Sequence, residues 1–381
     1  MSTHTNIPFN KPCVVDKSKE YACEVLCSDK LSGNGKFTYK CHTFFEKNYG
    51  FRKVLLTTSG TDALEMAALL IDIKPGDEVI VPSYTFVSSA LAFTRQGAKI
   101  VFADSEQDTP NMDVSKLERL ITPKTKAIVP VHYAGVAVDM DPLIELTKKY
   151  GLFVIEDAAQ AIDSYYKSRP LGSIGDLGCF SFHDTKNITA GEGGMLVINN
   201  PAFIKRAEIL WEKGTNRSEF FRGEVNKYGW VDTGSSFLPS ELNAALLFSQ
   251  LEEIKNIQSR RLNIWNRYFA GLKDLADKGY FRLPVVPEYA TNNAHMFYLV
   301  CNTPEDRTSL ITHLKENGIH AVFHYLSLHK SIYISKYNPE KVEMPMSDIY
   351  TEQLVRLPLF FSMTDENVDA VVAAVREYYN S

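Results

Sequence analysis

The chain has 381 residues, 45% of them hydrophobic and 23% charged, and a formal net charge of −5, which is a globular composition. No apolar run approaches the roughly 20 residues needed to span a bilayer. The mild acidity leaves no basic stripe of the kind that tracks nucleic acid, but it does not exclude a small anionic ligand in one basic pocket.

The length exceeds what one core usually supports, so two domains are expected. Residues 1–12, MSTHTNIPFNKP, lack the charged and apolar regions of a signal peptide, which predicts a cytoplasmic protein. The six cysteines (Cys13, Cys23, Cys27, Cys41, Cys179 and Cys301) fit no CxxC or zinc spacing. Reduced thiols and no metal site are the expectation.

In chain order, an arm leads into a helical stretch at 16–30, a turn at Ser32-Gly33-Asn34-Gly35, and a helix over 37–49. From residue 53 strands and helices alternate. Strands are predicted at 53–57, 77–81, 98–103, 126–131, 152–155 and 177–182, and helices at 63–71, 87–96, 113–120 and 142–150. Near-continuous apolar strands alternating with amphipathic helices imply a mostly parallel sheet covered on both faces. Residues 201–245 are less regular. One long helical pattern runs from about 240 to 275. Beyond it come strands at 296–301 and 320–323 and helices at 307–316, 347–355 and 366–378, an α+β pattern suited to a smaller domain.

Ligands of such sheets bind beyond the carboxyl ends of the strands. Four strand-end sites carry chemistry there. Ser59-Gly60-Thr61 opens a helix whose free N–H groups suit an anion, although the same residues make an ordinary N-cap. Phe86 can lie flat on a heterocycle or be a core aromatic. Glu156 and Asp157 end an apolar strand. Asp157 can keep a pyridine nitrogen protonated or cap a helix, Glu156 can face solvent, and Gln160 can donate to a ring oxygen. Finally, 177–194 delivers Ser181, His183 and Lys186 just before Gly191-Glu192-Gly193-Gly194. Ser181 can bind a phosphate, and His183 reads as a core or supporting histidine. A desolvated Lys186 would have a lowered pKa and a neutral amine able to react with an aldehyde; the alternative is a solvated surface lysine. Taken in order, an anion cradle, an aromatic platform, a carboxylate and a lysine are the parts that hold pyridoxal 5′-phosphate (PLP).

The motifs SGTDALEMA (59–67), PSYTFVSSA (82–90), PVHYAG (130–135), EDAAQ (156–160), SFHDTKNITAGEGG (181–194) and HMFYL (295–299) together resemble the DegT/DnrJ/EryC1/StrS family of sugar-nucleotide aminotransferases. The resemblance runs from Ile7-Pro8-Phe9 to Leu357-Pro358-Leu359. It implies the type I PLP-dependent aminotransferase fold, with a large PLP-binding domain and arm at 1–245 and a small α+β domain at 246–381. By the same resemblance, Lys186 carries the cofactor covalently and moves the proton. Asp157 faces the ring nitrogen, Phe86 stacks, Gln160 contacts the ring oxygen, and Gly60, Thr61 and Ser181 hold the phosphate. The family's active site lies between two subunits of a homodimer, and an asparagine of the partner completes the phosphate site. Here the matching stretch is Gly234-Ser235-Ser236-Phe237-Leu238-Pro239, which departs from the family pattern and makes Ser236 the candidate replacement.

Residues 213–228 and 321–329 resemble family members that move an amino group from glutamate to C4 of dTDP-4-keto-6-deoxy-D-glucose, giving dTDP-4-amino-4,6-dideoxy-D-galactose for surface polysaccharide such as enterobacterial common antigen. Arg217, Tyr228, His324 and His329 are the candidate substrate contacts, with an exposed flank as the alternative for each. Three rival readings remain. A family dehydratase carries histidine where this chain has Lys186. A non-catalytic regulator would keep the fold and bind the sugar nucleotide. A dehydrogenase would need GxGxxG, whereas residues 57–62 hold one glycine. Product stereochemistry at C4 (galacto or gluco) and the choice of dTDP or UDP stay open.

Overall fold

The structure is a computed structural model that describes residues 6–337 and 342–380. The reading of the leader rests partly on residues 1–5, which lie outside the described residues. The main sheet contains β1 (Val54–Thr57), β2 (Glu78–Pro82), β3 (Lys99–Ala103), β4 (Thr125–Ile128) and β5 (Phe153–Asp157). A short ribbon, β6 (Tyr165–Tyr166) and β7 (Arg169–Pro170), precedes its last two strands, β8 (Leu177–Ser181) and β9 (Gly194–Ile198). The order across the sheet is β1-β9-β8-β5-β4-β2-β3. The pairs β2/β3, β2/β4, β4/β5 and β5/β8 are parallel, and β9 is antiparallel to both β8 and β1. Six strands therefore point one way, and their carboxyl ends share one edge.

Side chains alternate across this sheet as the two-residue period requires. Val54, Leu56, Ile80, Phe180, Met195 and Val197 enter one buried cluster. Leu55, Val79, Val81, Leu177, Cys179, Leu196 and Ile198 enter another on the opposite face. Both faces are covered, which is why the strands read as continuous apolar runs. The helix Gly60–Leu70 packs on β8 and β9, while Asp16–Leu26 and Lys36–Tyr49 pack against Glu241–Leu251.

The second sheet is β10 (Phe281–Arg282), β11 (Phe297–Cys301), β12 (Val322–Phe323) and β13 (Leu354–Leu357), in the order β10-β11-β13-β12 and antiparallel throughout. It packs with the helices Ile254–Asp277, Pro304–Glu316 and Asp365–Asn380 around a third core. Ile7 bridges to Ile319, so the N-terminal arm joins this C-terminal layer. No helix among the described residues is long and apolar enough to cross a membrane.

Several predicted elements differ in detail. The segment at 113–120 forms two 3₁₀ turns rather than one helix. The pattern from 240 to 275 is two helices, Glu241–Leu251 and Ile254–Asp277, separated at residues 252 and 253. Position 245/246 therefore falls inside the first of them, and we propose that the domain boundary sits at 252–253. The helix predicted over 347–355 ends at Gln353, and its last residues turn into β13. β9 follows directly on the glycine-rich turn and has no counterpart among the predicted strands.

Candidate active site

The carboxyl edge of the main sheet and the small sheet enclose a cavity of about 520 Å³. Gly60 and Thr61 after β1, Phe86 after β2, Asp157 at the end of β5 with Gln160 beyond it, and Ser181 at the end of β8 with Lys186 beyond it all line it. His324, Tyr325 and Arg356 close it from the C-terminal side. Eight of the sequence-predicted residues, with His324 the eighth, thus meet in one place.

The helix start at Gly60 is packed against the end of β8 by close approach. Ser59 caps the helix by accepting from the Asp62 N–H at 3.0 Å, so the helix starts at Gly60 with outward N–H groups. A Cβ on Gly60 would sit 2.8 Å from the Ser181 Cβ, and one on Gly194 would sit 2.2 Å from the Ser59 carbonyl oxygen. Only glycine lets the helix start lie this near the end of β8. Thr61 and Ser88 share a hydroxyl hydrogen bond of 2.7 Å beside it.

Asp157 is buried, as an acceptor with fixed donors. Ser89 Oγ donates to its Oδ2 at 2.6 Å, and the Ala159 N–H donates to its Oδ1 at 3.1 Å. Thr85 Oγ1 lies 2.9 Å from Ser89 Oγ, which lengthens the chain of hydroxyls behind the carboxylate. Glu156, the residue that can face solvent in the sequence reading, is fully buried instead. It accepts from the N–H groups of Gly172, Ile174 and Gly175 at 2.8, 2.6 and 2.6 Å and meets His132 Nε2 at 3.0 Å. His132 Nδ1 accepts from the Val138 N–H at 3.2 Å, so Nε2 carries the proton toward Glu156. Alternation along β5 puts the two carboxylates on opposite faces, with Glu156 tying the loops together and Asp157 facing the cavity.

Gln160 accepts from the Ala134 N–H at 2.6 Å and donates to Tyr325 Oη at 3.1 Å, which fixes the amide's orientation. Phe86 is 54% exposed, with its ring 6.0 Å from that of Tyr325. It is a free aromatic face at the cavity, not a core residue. Lys186 faces the same space. Burial pushes its pKa down from 10.5 to about 8, the Asp157 carboxylate opposes that shift, and the Arg356 guanidinium adds to it. The lysine and the aspartate are therefore electrostatically coupled within one cavity. His324 Nδ1 lies 2.9 Å from Tyr133 Oη, and burial followed by the charges of Arg356 and Lys186 holds this imidazole well below its usual range, hence neutral.

Four predicted residues lie elsewhere in the chain. Ser236 and Arg217 line a second cavity of about 580 Å³ with Asn34, Glu212 and Lys213. Tyr228 is 51% exposed and packs on Phe220. His329 is turned away: its Nδ1 meets Ser83 Oγ at 2.7 Å and its ring packs edge-on against Phe102. It does not line the Lys186 cavity. Tyr325 and Arg356 were missed. For Arg356 the signal was present, since a lone arginine interrupts the apolar run Leu354-Val355-Arg356-Leu357 of a buried strand.

A family model of the DegT/DnrJ/EryC1/StrS aminotransferases matches residues 12–376. The chain belongs to this family. It is 33% identical to the spore coat polysaccharide biosynthesis protein SpsC of Bacillus subtilis over 97% of this chain and 96% of that one. It is also 33% identical to the GDP-perosamine synthase of Escherichia coli O157:H7, over 98% and 99%. Among solved structures, Spr1654 of Streptococcus pneumoniae, assigned as a sugar aminotransferase, superposes in its PMP form with a TM-score of 0.92 at 27% identity, covering 98% of this chain and 99% of that one. Its PLP form gives 0.91. As a DegT/DnrJ/EryC1/StrS enzyme, the protein is a PLP-dependent sugar aminotransferase with the type I fold, as its motifs implied.

Proposed function

We propose that the protein transfers the amino group of L-glutamate to C4 of dTDP-4-keto-6-deoxy-D-glucose, giving dTDP-4-amino-4,6-dideoxy-D-galactose for a surface polysaccharide. The observation that carries the chemistry is that Lys186, with its lowered pKa, and the hydrogen-bonded Asp157 line one cavity beside the Gly60–Ser181 anion cradle. The specific sugar is supported by the resemblance at 213–228 and 321–329.

The residues present fit PLP. Gly60, Thr61 and Ser181 would take its phosphate, Phe86 its ring face, Asp157 its ring nitrogen and Gln160 its ring oxygen. Ser236 and Arg217 of a second subunit would complete the phosphate and nucleotide contacts, with Tyr228 beside them, in a homodimer. The bound cofactor supplies an aldehyde that carries the amino group and a ring that accepts an electron pair. The chain's own groups do the rest. Lys186, about half neutral near pH 8, would hold the cofactor through its Nζ, and the same amine, when free, could accept or return a proton beside the reacting carbon. Ser89 Oγ and the Ala159 N–H donate to Asp157 and fix its carboxylate, which would face the ring nitrogen and favour its protonated form. His324, being neutral, can accept a hydrogen bond from the sugar. The part-buried walls formed by Tyr325 and Arg356 exclude bulk water from the reacting carbon.

The test is to incubate the PLP-loaded protein with glutamate and the dTDP-, UDP- and GDP-linked 4-keto-6-deoxyhexoses in turn and to read the product by proton NMR. A small coupling at C4, from an axial amine on the dTDP sugar, is expected. A large coupling gives the gluco product and overturns the galacto assignment, and turnover of only the GDP or UDP sugar overturns the nucleotide assignment.

A further inference from the structure

His295 opens the HMFYL motif two residues before β11, and it is buried. There it meets the lysine segment. Lys186 lies in an irregular turn after β8, where its N–H donates to the His183 carbonyl oxygen at 3.0 Å, so no strand ladder holds it. The next residue, Asn187, is buried and uses both ends of its amide. Its Nδ2 donates to Gln258 Oε1 and to the Asn293 carbonyl oxygen, both at 2.9 Å. Its Oδ1 therefore faces His295 Nδ1, 2.8 Å away, and that nitrogen carries the proton. Burial, then the charges of Lys186, Arg356 and Arg261, hold the imidazole well below its usual range, so Nε2 stays bare. The same junction is anchored from other sides. Asn293 Nδ2 donates to the carbonyl oxygens of Gln160 and Ile162 at 2.8 Å, and its Oδ1 accepts from the His295 N–H at 3.0 Å. Arg261 donates from Nε and Nη2 to the carbonyl oxygens of Ala294 and His295 at 3.1 and 2.9 Å. Ala294 is held at φ 51°, and Ala134, whose N–H donates to Gln160, at φ 57°. Non-glycine residues in this left-handed region cost energy that only over-determined surroundings sustain.

We propose that His295 is a positioning residue for Lys186, acting through the side chain of Asn187. This rests on the aminotransferase reading above, in which Lys186 holds the cofactor. His295 does not line the cavity, so it acts through its neighbour and not on a ligand. Gln258 and the Asn293 carbonyl accept from Asn187, and His295 is the group that donates to its oxygen. Removing that donor leaves a buried acceptor unpaired and frees the amide to turn. The lysine is the adjacent residue, and its Nζ stands at the end of four methylenes, so a small backbone rotation at 186–187 displaces the nitrogen. Bond formation and proton transfer need reacting atoms about 3–3.5 Å apart, and a misplacement of about 1 Å costs about 10²-fold in rate. The loss therefore falls on the steps that Lys186 performs and not on the affinity for groups bound elsewhere in the cavity. The junction also fastens Gln160 by its carbonyl, so two groups of the cavity wall are tied to the entry of the second sheet.

The experiment compares wild type, His295→Asn and His295→Phe as folded proteins with matched thermal unfolding. Asparagine keeps a donor near the place of Nδ1, and phenylalanine keeps a ring without one. The first reading is the rate at which apoprotein captures PLP, which needs no turnover. The second is the glutamate half-reaction of the loaded protein, with its saturating rate and its half-saturating glutamate concentration taken separately. The third is NMR of 15N-histidine-labelled apoprotein, in which wild-type His295 should show a proton on Nδ1 and none on Nε2. In His295→Phe the capture rate and the saturating rate should each fall about tenfold or more, while the half-saturating concentration moves less than about threefold. His295→Asn should recover both rates to within about threefold of wild type. If His295→Phe does not fold, His295→Gln, whose amide reaches the place of Nε2 instead, takes its part with the same losses expected. Wild-type rates in the donorless variant, equal losses with and without the donor, a change confined to the glutamate concentration dependence, or a proton on Nε2 would overturn the assignment. None of these readings uses the sugar nucleotide, so a dTDP sugar that is not turned over counts against the proposed function alone.

Discussion

The molecule holds two cavities of similar size, about 520 Å³ beside Lys186 and about 580 Å³ beside Ser236, and they are built in opposite ways. The first is walled by the ends of buried strands. Asp157 and His324 are desolvated there, the Gln160 amide and the Asp157 carboxylate have fixed donors, and Lys186 is shifted toward neutrality. The second is walled by loops at 30–34, 212–217 and 236–240. Its charges are spent locally, Arg217 on Glu212 at 3.7 Å and on the rings of Phe221 and Tyr228. Next to it Phe221, Tyr228, Trp230 and Val231 are 68, 51, 83 and 56% exposed. Volume alone does not separate the two cavities; burial and shifted acidity do.

The contrast is most sharply broken by Lys186→Ala. Absorbance of the lysine-bound cofactor should vanish and single-turnover amino transfer should fall by about 10³-fold or more; a variant with unchanged spectrum and rate would remove the first cavity from the chemistry. The acidity of the same lysine gives a second test. With its pKa lowered to about 8, it loses its proton as pH rises through that value. The rate at which apoprotein captures PLP should climb about tenfold per pH unit below 8 and then flatten. A rate still climbing at pH 10 would mean an ordinary solvated amine.

Asp157→Asn should leave Lys186 able to hold the cofactor while slowing both half-reactions by about 10²-fold, because a neutral amide no longer keeps the ring nitrogen protonated. Equal rates would mean that Asp157 only caps the helix. The smallest effect is expected in the second cavity. Ser236→Ala should weaken cofactor retention by about tenfold, the worth of one hydrogen bond to a charged group. If the two cavities meet across a dimer, mixing Ser236→Ala with Lys186→Ala subunits should restore full-strength sites in about a quarter of the total, as random pairing of two defective copies requires. No restoration would show that each chain works alone.

The β-strand and helix positions of the first half were legible because a doubly covered parallel sheet writes itself as apolar runs broken by polar strand ends. The same pattern made Gly60, Phe86, Asp157, Gln160, Ser181 and Lys186 stand out. The antiparallel β9 was hidden behind a glycine-rich turn that reads as loop. β13 was hidden because Leu354-Val355-Arg356-Leu357 continues a helical run without a breaker. The positions of His329, outside the Lys186 cavity, and Arg356, on its wall, were hidden for a related reason. Both follow from packing between distant segments: His329 is pulled toward Phe102 and Ser83, and Arg356 is presented to the cavity by a strand register with β11 and β12.

From its residues alone the chain determined its α/β class, its PLP-dependent family and the strand ends that line the cavity, because local hydrophobic period and short motifs are written in consecutive residues. Only the tertiary structure decided that Glu156 is buried with His132, that Lys186 loses much of its basicity, and that an arginine some 170 residues further along faces it. Burial and electrostatic coupling belong to neighbours in space, and no spacing along the chain encodes them.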